Sequence, residues 1–455
     1  MARSLLVWIL VVWTMALAPR VSAEPLPAAA VVQDLTFFRD VWAVKDRSFT
    51  PETRKQMTAF IDAQIAKAAP MERTGLALIF SQAEAFSGNN HTQSDFFGEE
   101  NLFHSLPISF WIFPEGAMVT RAHPQDRDLL GAKILRIGGV SVAEAQRRVA
   151  KYISGTDERR RFLTPTWLTR LEVLDAVGLT NAGVAAFEFQ LADGRIETRR
   201  LGASPTPDPA AASPTWRQSM VPGKGPQPWP HVLDPLPALP LYLQAPDEMT
   251  SAPLRDGHVL YIRSTSLSPY SDDFGVVQIK AYSIMDKAFH AARPPSDLIV
   301  DLRYNGGGNF LNITSFTTEL AGLIGPSGHI YVITGRATNS AAIIFTALLK
   351  ASAKGRTTII GEEPSDNLWF WSEGDFMQTP VSNLRLRAIS GYHDWAHGCS
   401  DRSRCYWPAI FHGVAVGSIS PDKPVEMTYA DYIAGKDPAL ETALALIAAP
   451  AGSRR

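Results

Sequence analysis

The stretch DLIVDLRYNGGGNF (Asp297–Phe310) sets the reading of the whole chain. Leu298–Leu302 is a short apolar run with one acid in it and Arg303 after it, as expected of a strand buried on both faces. Three consecutive glycines follow, then a segment of helical character over Phe310–Leu323. Glycine at the mouth of a buried strand lets the backbone come close to another group, and three in a row exceed what a tight turn needs. In open α/β sheets that mouth, the carboxyl end of a strand, is where ligands bind.

Outward from this stretch, strand and helix alternate. HVLYIRS, LIVDLR, HIYVITG and TTIIGE read as strands, and Asp273–Ala292 and NSAAIIFTALLKAS as helices. This order gives βαβ crossovers and a largely parallel sheet covered on its faces. TYADYIAGKDPALETALALI supplies a last amphipathic helix. Upstream, Val31–Ala85 carries apolar residues three and four apart, punctuated by Pro51 and Pro70, and closes in the polar turn SGNNHTQSD (Ser87–Asp95). Leu106–Leu201 mixes short strands, the ADG hairpin signal and two helical segments, VAEAQRRVAKYI and PTWLTRLEVLDAV, which makes a compact α+β module. Ser204–Pro240 is dense in proline and predicts a stiff, extended connector lying over the surface.

A chain of 455 residues, 45% hydrophobic and 19% charged, is long enough for two or three globular domains. A formal net charge of -2 gives no electrostatic reason to expect nucleic acid or an anionic membrane as partner. Met1–Arg3 and the apolar run Leu5–Ala18 precede VSA (Val21–Ala23), the pattern of a signal peptide over residues 1–23. The mature chain then starts at Glu24 and is exported, to the periplasm or beyond; the other reading is an uncleaved anchor. The two cysteines, Cys399 and Cys405, read as a local disulfide in such a compartment. His393 and His397 nearby raise zinc as an alternative, although the spacing matches no standard zinc pattern. Two free thiols are the third possibility.

Ser340 falls at the start of the helix after HIYVITG, where the Ala341 amide points out of the helix terminus and favours negative charge. The plain alternative is a serine that only caps its helix. If Ser340 is a nucleophile, its oxyanion needs two donors: the Ala341 amide, and an amide of Gly306 or Gly307. A serine also needs a base. No lysine stands between Ile359 and Gly374, and of the ten histidines His91, in the polar turn, is the best candidate.

Together these motifs resemble the tail-specific, or C-terminal processing, serine proteases, and within them the branch of the tricorn core and the retinoid-binding repeats. HVLYIRSTSLSP, LIVDLRYNGGGN, IYVITGRATNSAA, TTIIGEEPSDN and the closing GSISPDKPVEMTYADYIAGKDPALETAL carry the resemblance over the core. SGNNHTQSD is similar to that branch's histidine turn, and LGAKILRIGGVSVAEA to a PDZ-like module. The resemblance implies an α/β fold: a crotonase/ClpP-like βαβ core over 246–448, a helical N-terminal region over 24–105 carrying the base, a PDZ-like α+β module over 106–203, and the Pro-rich connector over 204–245. It implies Ser340 as nucleophile, His91 as general base and a polypeptide substrate, with no cofactor and no metal. Where the branch has a glutamate, FHGVAVGSISPD has none. The acid orienting His91 is therefore left among Glu363, Asp366 and Glu373, with Asp394 farther off. NLWFW (Asn367–Trp371) is read either as a wall of the substrate pocket or, as aromatic clusters more often are, as core. The expected function is an exported serine endopeptidase acting through an acyl-enzyme. The alternatives are a catalytically inactive peptide- or lipid-binding member of the fold, and an ester or lactone hydrolase.

Overall fold

The structure is a computed structural model that describes residues 24–99, 102–206, 215–223, 228–244, 249–268, 276–291 and 293–449. The expected signal peptide, residues 1–23, lies outside the described residues, as does the first part of the helix expected from Asp273. Among the described residues no helix is long and apolar enough to cross a membrane.

Helices Ala28–Phe37, Pro51–Ala66 and Arg73–Ala85 form the N-terminal region. An antiparallel sheet follows, built from β1 (Ile108–Phe113), β2 (Gly116–Ala122), β3 (Lys133–Ile137), β4 (Val140–Ser141), β5 (Ala185–Gln190) and β6 (Ile196–Leu201), in the order β1-β2-β3-β5-β6 with β4 beside β3. PTWLTRLEVLDAV does not form one helix. Helix Asp157–Trp167 stops soon after Pro165, which cannot donate to the ladder, and Leu171–Ala176 is a separate short helix.

The second large sheet contains β7 (Thr250–Leu254), β8 (Val259–Arg263), β9 (Asp297–Asp301), β10 (Ile330–Thr334) and β11 (Thr357–Gly361). Between β11 and the last strand of this sheet, β14 (Lys423–Pro424), comes a two-stranded ribbon, β12 (Trp369–Gln378) paired antiparallel with β13 (Arg385–Asp394). The large sheet runs β14-β11-β10-β9-β8-β7, parallel except for β7. Its strands are apolar on both faces because both are covered. Leu298 and Val300 pack towards helices Thr314–Leu323 and Ala341–Ala353, while Ile299, Tyr331 and Ile333 pack towards the last helix, Pro438–Ala448. Each such aliphatic side chain contributes about 1.5–3 kcal/mol of burial.

The proline-dense connector departs from expectation. It does not lie over the surface. Trp216, Met220, Tyr242 and Leu243 are buried in one cluster with Trp111 and Phe162 of the antiparallel sheet's module and Tyr304 and Tyr432 of the core. Proline restricts backbone geometry but not burial, and the connector's polar backbone is met by β2: Ala122 donates to the Pro230 carbonyl, and Val232 to that of Thr120. The segment also includes a short helix, Thr215–Met220.

The β12–β13 ribbon reaches away from the core and clasps the helical region. Leu384, Leu386 and Ala388 pack with Val31, Trp42 and Phe80. Buried Asp34 accepts from the amides of Val381 and Ser382 at 2.9 and 2.8 Å, and buried Asp46 accepts from Ile389 at 2.9 Å.

Arg303, just past β9, ties the sheet to the last helix. It donates to both carboxylate oxygens of Asp437 at 2.8 and 2.9 Å and to Asp301 at 3.0 Å, and Asp437 in turn accepts from the Leu440 amide at 3.1 Å. All three charged groups are buried. Asp437→Ala leaves a buried guanidinium short of a partner and is expected to cost about 3–5 kcal/mol. A urea titration checks this: the midpoint falls while the slope m is unchanged.

Candidate active site

Because β9 and β10 are parallel neighbours, the segments leaving their carboxyl ends emerge side by side and are fastened to each other. Leu302 donates to the Ile333 carbonyl at 2.8 Å, Thr338 Oγ1 to that of Leu302 at 2.7 Å, and the Asn339 amide to that of Asn305 at 3.0 Å. Gly335 is needed at this junction, since a Cβ there would stand 2.7 Å from the Arg303 carbonyl oxygen. The turn delivers Ser340 at φ 52°, ψ −123°, a conformation that costs a non-glycine residue roughly 1–3 kcal/mol. Its side chain makes no capping bond to the helix it precedes, so the plain capping role does not hold.

The glycines meet this turn directly. Gly307 sits at φ 101°, and a Cβ there would lie 2.6 Å from Ser340 Cβ and 3.0 Å from the Ala341 nitrogen. Gly307 is not available as an oxyanion donor, however. Its amide donates to Asn305 Oδ1 at 2.9 Å, because Asn305, buried and bonded to Ser264, folds back over the turn. Gly306 and Gly308 are exposed on the cleft instead, on either side of it. Ala341, the first residue of its helix, has no carbonyl one turn back to which its amide could donate.

His91 arrives from the helical region on a loop held at several points. The Asn89 side chain pairs with the backbone of Trp371 on β12, donating at 3.0 Å and accepting at 2.9 Å. Asn90 Nδ2 donates to Asn339 Oδ1 at 2.6 Å, which joins the residue before His91 to the residue before Ser340. The imidazole stacks on Phe370, with ring centroids 5.0 Å apart, and Phe370 stacks on His393 at 4.8 Å. His91 and Ser340 line one cleft of about 580 Å³. Neither ring nitrogen of His91 has a hydrogen-bond partner, so the Ser340–His91 bond is not made. Burial, then the charges of Arg387 and Arg159, hold the imidazole well below its ordinary pKa, so it is neutral.

Of the four candidate acids only Asp366 stands beside the imidazole, its Oδ2 3.6 Å from His91 Nδ1. Burial pushes Asp366 up to about 7, against the opposing pull of the Asn367 amide. Glu363 accepts instead from Ser420 at 2.6 Å. Glu373 lines the cleft but faces His393 Nε2 at 3.5 Å, which lowers its pKa. Asp394 accepts from the amides of Ala396 and His397 and organises its own turn. NLWFW does not wall the cleft. Phe370 backs His91 from beneath, whereas Ser372, Glu373 and Phe376 line the opening.

Sequence reasoning missed Asn305, Arg159 and Arg387. The first could have been found as an Asn two residues before a glycine, the signal of an Asx turn. The arginines carry no local signal, since they come from a helix and a ribbon far apart in the chain. Cys399 and Cys405 form a disulfide with Cα atoms 5.9 Å apart. His397 pairs with Asp394 at 3.1 Å, and among the described residues no group of three or more metal-ligating side chains gathers.

No family model and no curated protein matches this sequence. Solved structures do. A crystal structure of a CPAF mutant aligns with a TM-score of 0.57 at 13% identity, covering 92% of this chain and 96% of that one. Mature CPAF aligns with a TM-score of 0.56 at 12% identity over the same shares. The photosystem II D1 C-terminal processing protease matches at 13% identity with a TM-score of 0.38, covering 94% of this chain and 98% of that one. At such identity the two CPAF likenesses speak for the fold alone, a mixed α/β fold shared with CPAF.

Gly307→Ala tests the close approach of the two turns. The added methyl meets backbone on two sides at a positive φ, so the variant is expected to lose about 2 kcal/mol or more of stability. Gly306→Ala, whose Cβ meets nothing within 4 Å, is expected to keep wild-type stability. Thermal melts of the two variants make the comparison.

Proposed function

We propose that the chain is a serine endopeptidase in which Ser340 attacks a peptide carbonyl and His91 takes its proton. The observation that carries the reading is the strained Ser340 at a helix N-terminus, beside a glycine loop and in one cleft with a buried histidine. A serine in this conformation presents its hydroxyl free of the helix, and such strain is retained where chemistry uses it. In the first step the Ser340 oxygen bonds to the carbonyl carbon, and its proton moves to His91 Nε2 or Nδ1, whichever faces the hydroxyl. The resulting oxyanion accepts from the Ala341 amide and from the amide of Gly306 or Gly308. The C–N bond then breaks, His91 gives its proton to the leaving amine, and water resolves the acyl-enzyme by the reverse sequence. Asp366 stabilises the imidazolium. Closure of the Ser340–His91 distance on substrate binding belongs to this reading, since such bonds are often open in free enzymes. Export behind residues 1–23 and peptide-tail binding by a PDZ-like module are part of the same proposal, supported by the signal-peptide pattern and the LGAKILRIGGVSVAEA resemblance.

One observation favours a catalytically silent binding protein instead: His91 holds a proton poorly and is not bonded to Ser340. A fluorophosphonate probe separates the two. The wild-type chain is expected to be labelled and to cleave denatured casein. Ser340→Ala is expected to lose both while keeping its melting temperature. Labelling undiminished by the substitution rejects the serine, and no labelling of the wild type favours the silent protein.

The pH profile follows from Asp366 rather than His91. A carboxyl raised to about 7 is protonated below that pH, so its anion beside His91 appears only as pH rises. His91, depressed by burial, is neutral well below pH 6.5 and adds no limb of its own there. The kcat/KM for a peptide substrate is therefore expected to rise through about pH 7. Asp366→Asn is expected to lower it and to remove that limb, leaving it flat between about pH 5.5 and 8.

A further inference from the structure

Two arginines line the cleft without partners. Arg159 comes from helix Asp157–Trp167 and Arg387 from β13, so the α+β module and the ribbon each contribute one. Neither guanidinium makes a hydrogen bond or ion pair among the described residues, and the Nε of each is buried with no acceptor. Arg159 lies over the face of Phe162 and Arg387 over that of Phe376, each 5.8 Å from the ring centroid. The nearby acids are otherwise occupied. Glu373 faces His393 and Asp366 faces His91; Asp366 and Asp95 act on Arg159, and Glu373 on Arg387, through space without forming an ion pair among the described residues. Both residues are half-buried, so each unpaired guanidinium keeps only part of its hydration, and burial pushes Arg159 down to about 10. Two such cations flanking one catalytic cleft call for an anion brought from outside.

We propose that Arg159 and Arg387 form a carboxylate subsite that selects polypeptides with an acidic side chain near the bond presented to Ser340. A planar guanidinium binds a carboxylate through two parallel hydrogen bonds, and the aromatic face beneath each arginine leaves its edge free to do so. The cleft also lends the subsite a second effect. Arg159 and Arg387 are the charges that, after burial, most disfavour a proton on His91. A bound carboxylate offsets both, so the substrate that fits the subsite also makes the base more able to accept the Ser340 proton. The subsite concerns binding and specificity; its link to turnover rests on the peptidase reading above.

The test uses the full-length Ser340→Ala chain, so that binding is read without cleavage. The probes are fluorescent decapeptides, acetylated and C-terminally amidated, in which a single Glu is scanned along the chain and compared with Gln at the same place. At one position Glu is expected to bind about tenfold or more tighter than Gln, with a difference that shrinks as salt rises. Arg159→Gln and Arg387→Gln are each expected to erase most of that difference, and Arg→Lys to restore only part of it. Urea midpoints check folding, and either variant alone reads the subsite if the other does not fold. No Glu–Gln difference at any position, or a difference that survives both Gln substitutions, overturns the proposal. So does a preference seen only with unamidated peptides, which would make the ligand a chain terminus. Cleavage of the same peptides by the wild type is scored separately. Selective binding without cleavage keeps the subsite and removes the peptidase.

Discussion

The site depends on one constraint of sheet geometry: β9 and β10 are adjacent and parallel. Parallel neighbours end on the same side, so the chain leaving each strand turns within reach of the other. Here the turns are locked by hydrogen bonds from Thr338 and Asn339 to the carbonyls of Leu302 and Asn305. The strain at Ser340 is held by this locking and by the packed helix that follows it. The same closeness explains the glycines. At Gly307 a side chain would collide with Ser340, and at Gly308 with the backbone of Leu267 and Ser268. The glycines are thus permissive of contact first, and Gly306 and Gly308 stand exposed on the cleft.

The histidine reaches the same cleft by a longer route. It belongs to the helical region, which touches the core mainly through the β12–β13 ribbon. Apolar residues of β13 and the buried carboxylates of Asp34 and Asp46 fix the helices to the ribbon. Asn89 and Asn90 then set the loop, one against the ribbon and one against the serine turn. His91 is therefore positioned by polar contacts between units distant in sequence. Such contacts are directional, and they fix a side chain more narrowly than apolar packing does.

Charge sets the character of the cleft. His91, Asp366, Arg159 and Arg387 all lose hydration, and each responds in the direction that removes charge. The neutral imidazole is ready to receive a proton but is poorly compensated once it has one. The charges of Arg387 and Arg159 add to the cost of that proton.

The amino-acid sequence by itself determined the parallel α/β core. Short runs apolar on both faces, alternating with helices, bury both sides of a sheet in only a few ways, and the strand, the glycines and the serine sit close enough in sequence to be read as local pattern. Histidine in a polar turn was legible as a candidate for the same reason. Tertiary structure decided what local pattern does not encode. Asp366, not Glu363 or Glu373, stands beside the imidazole, because side-chain direction at the end of a strand depends on what packs against it. Gly307's amide is consumed by Asn305. The proline-dense connector is buried, because Trp216, Met220, Tyr242 and its leucines find a seam between two units that no window of sequence contains. The two arginines meet across a cleft only because a helix and a ribbon, more than two hundred residues apart in the chain, are brought together by the packing of everything between them.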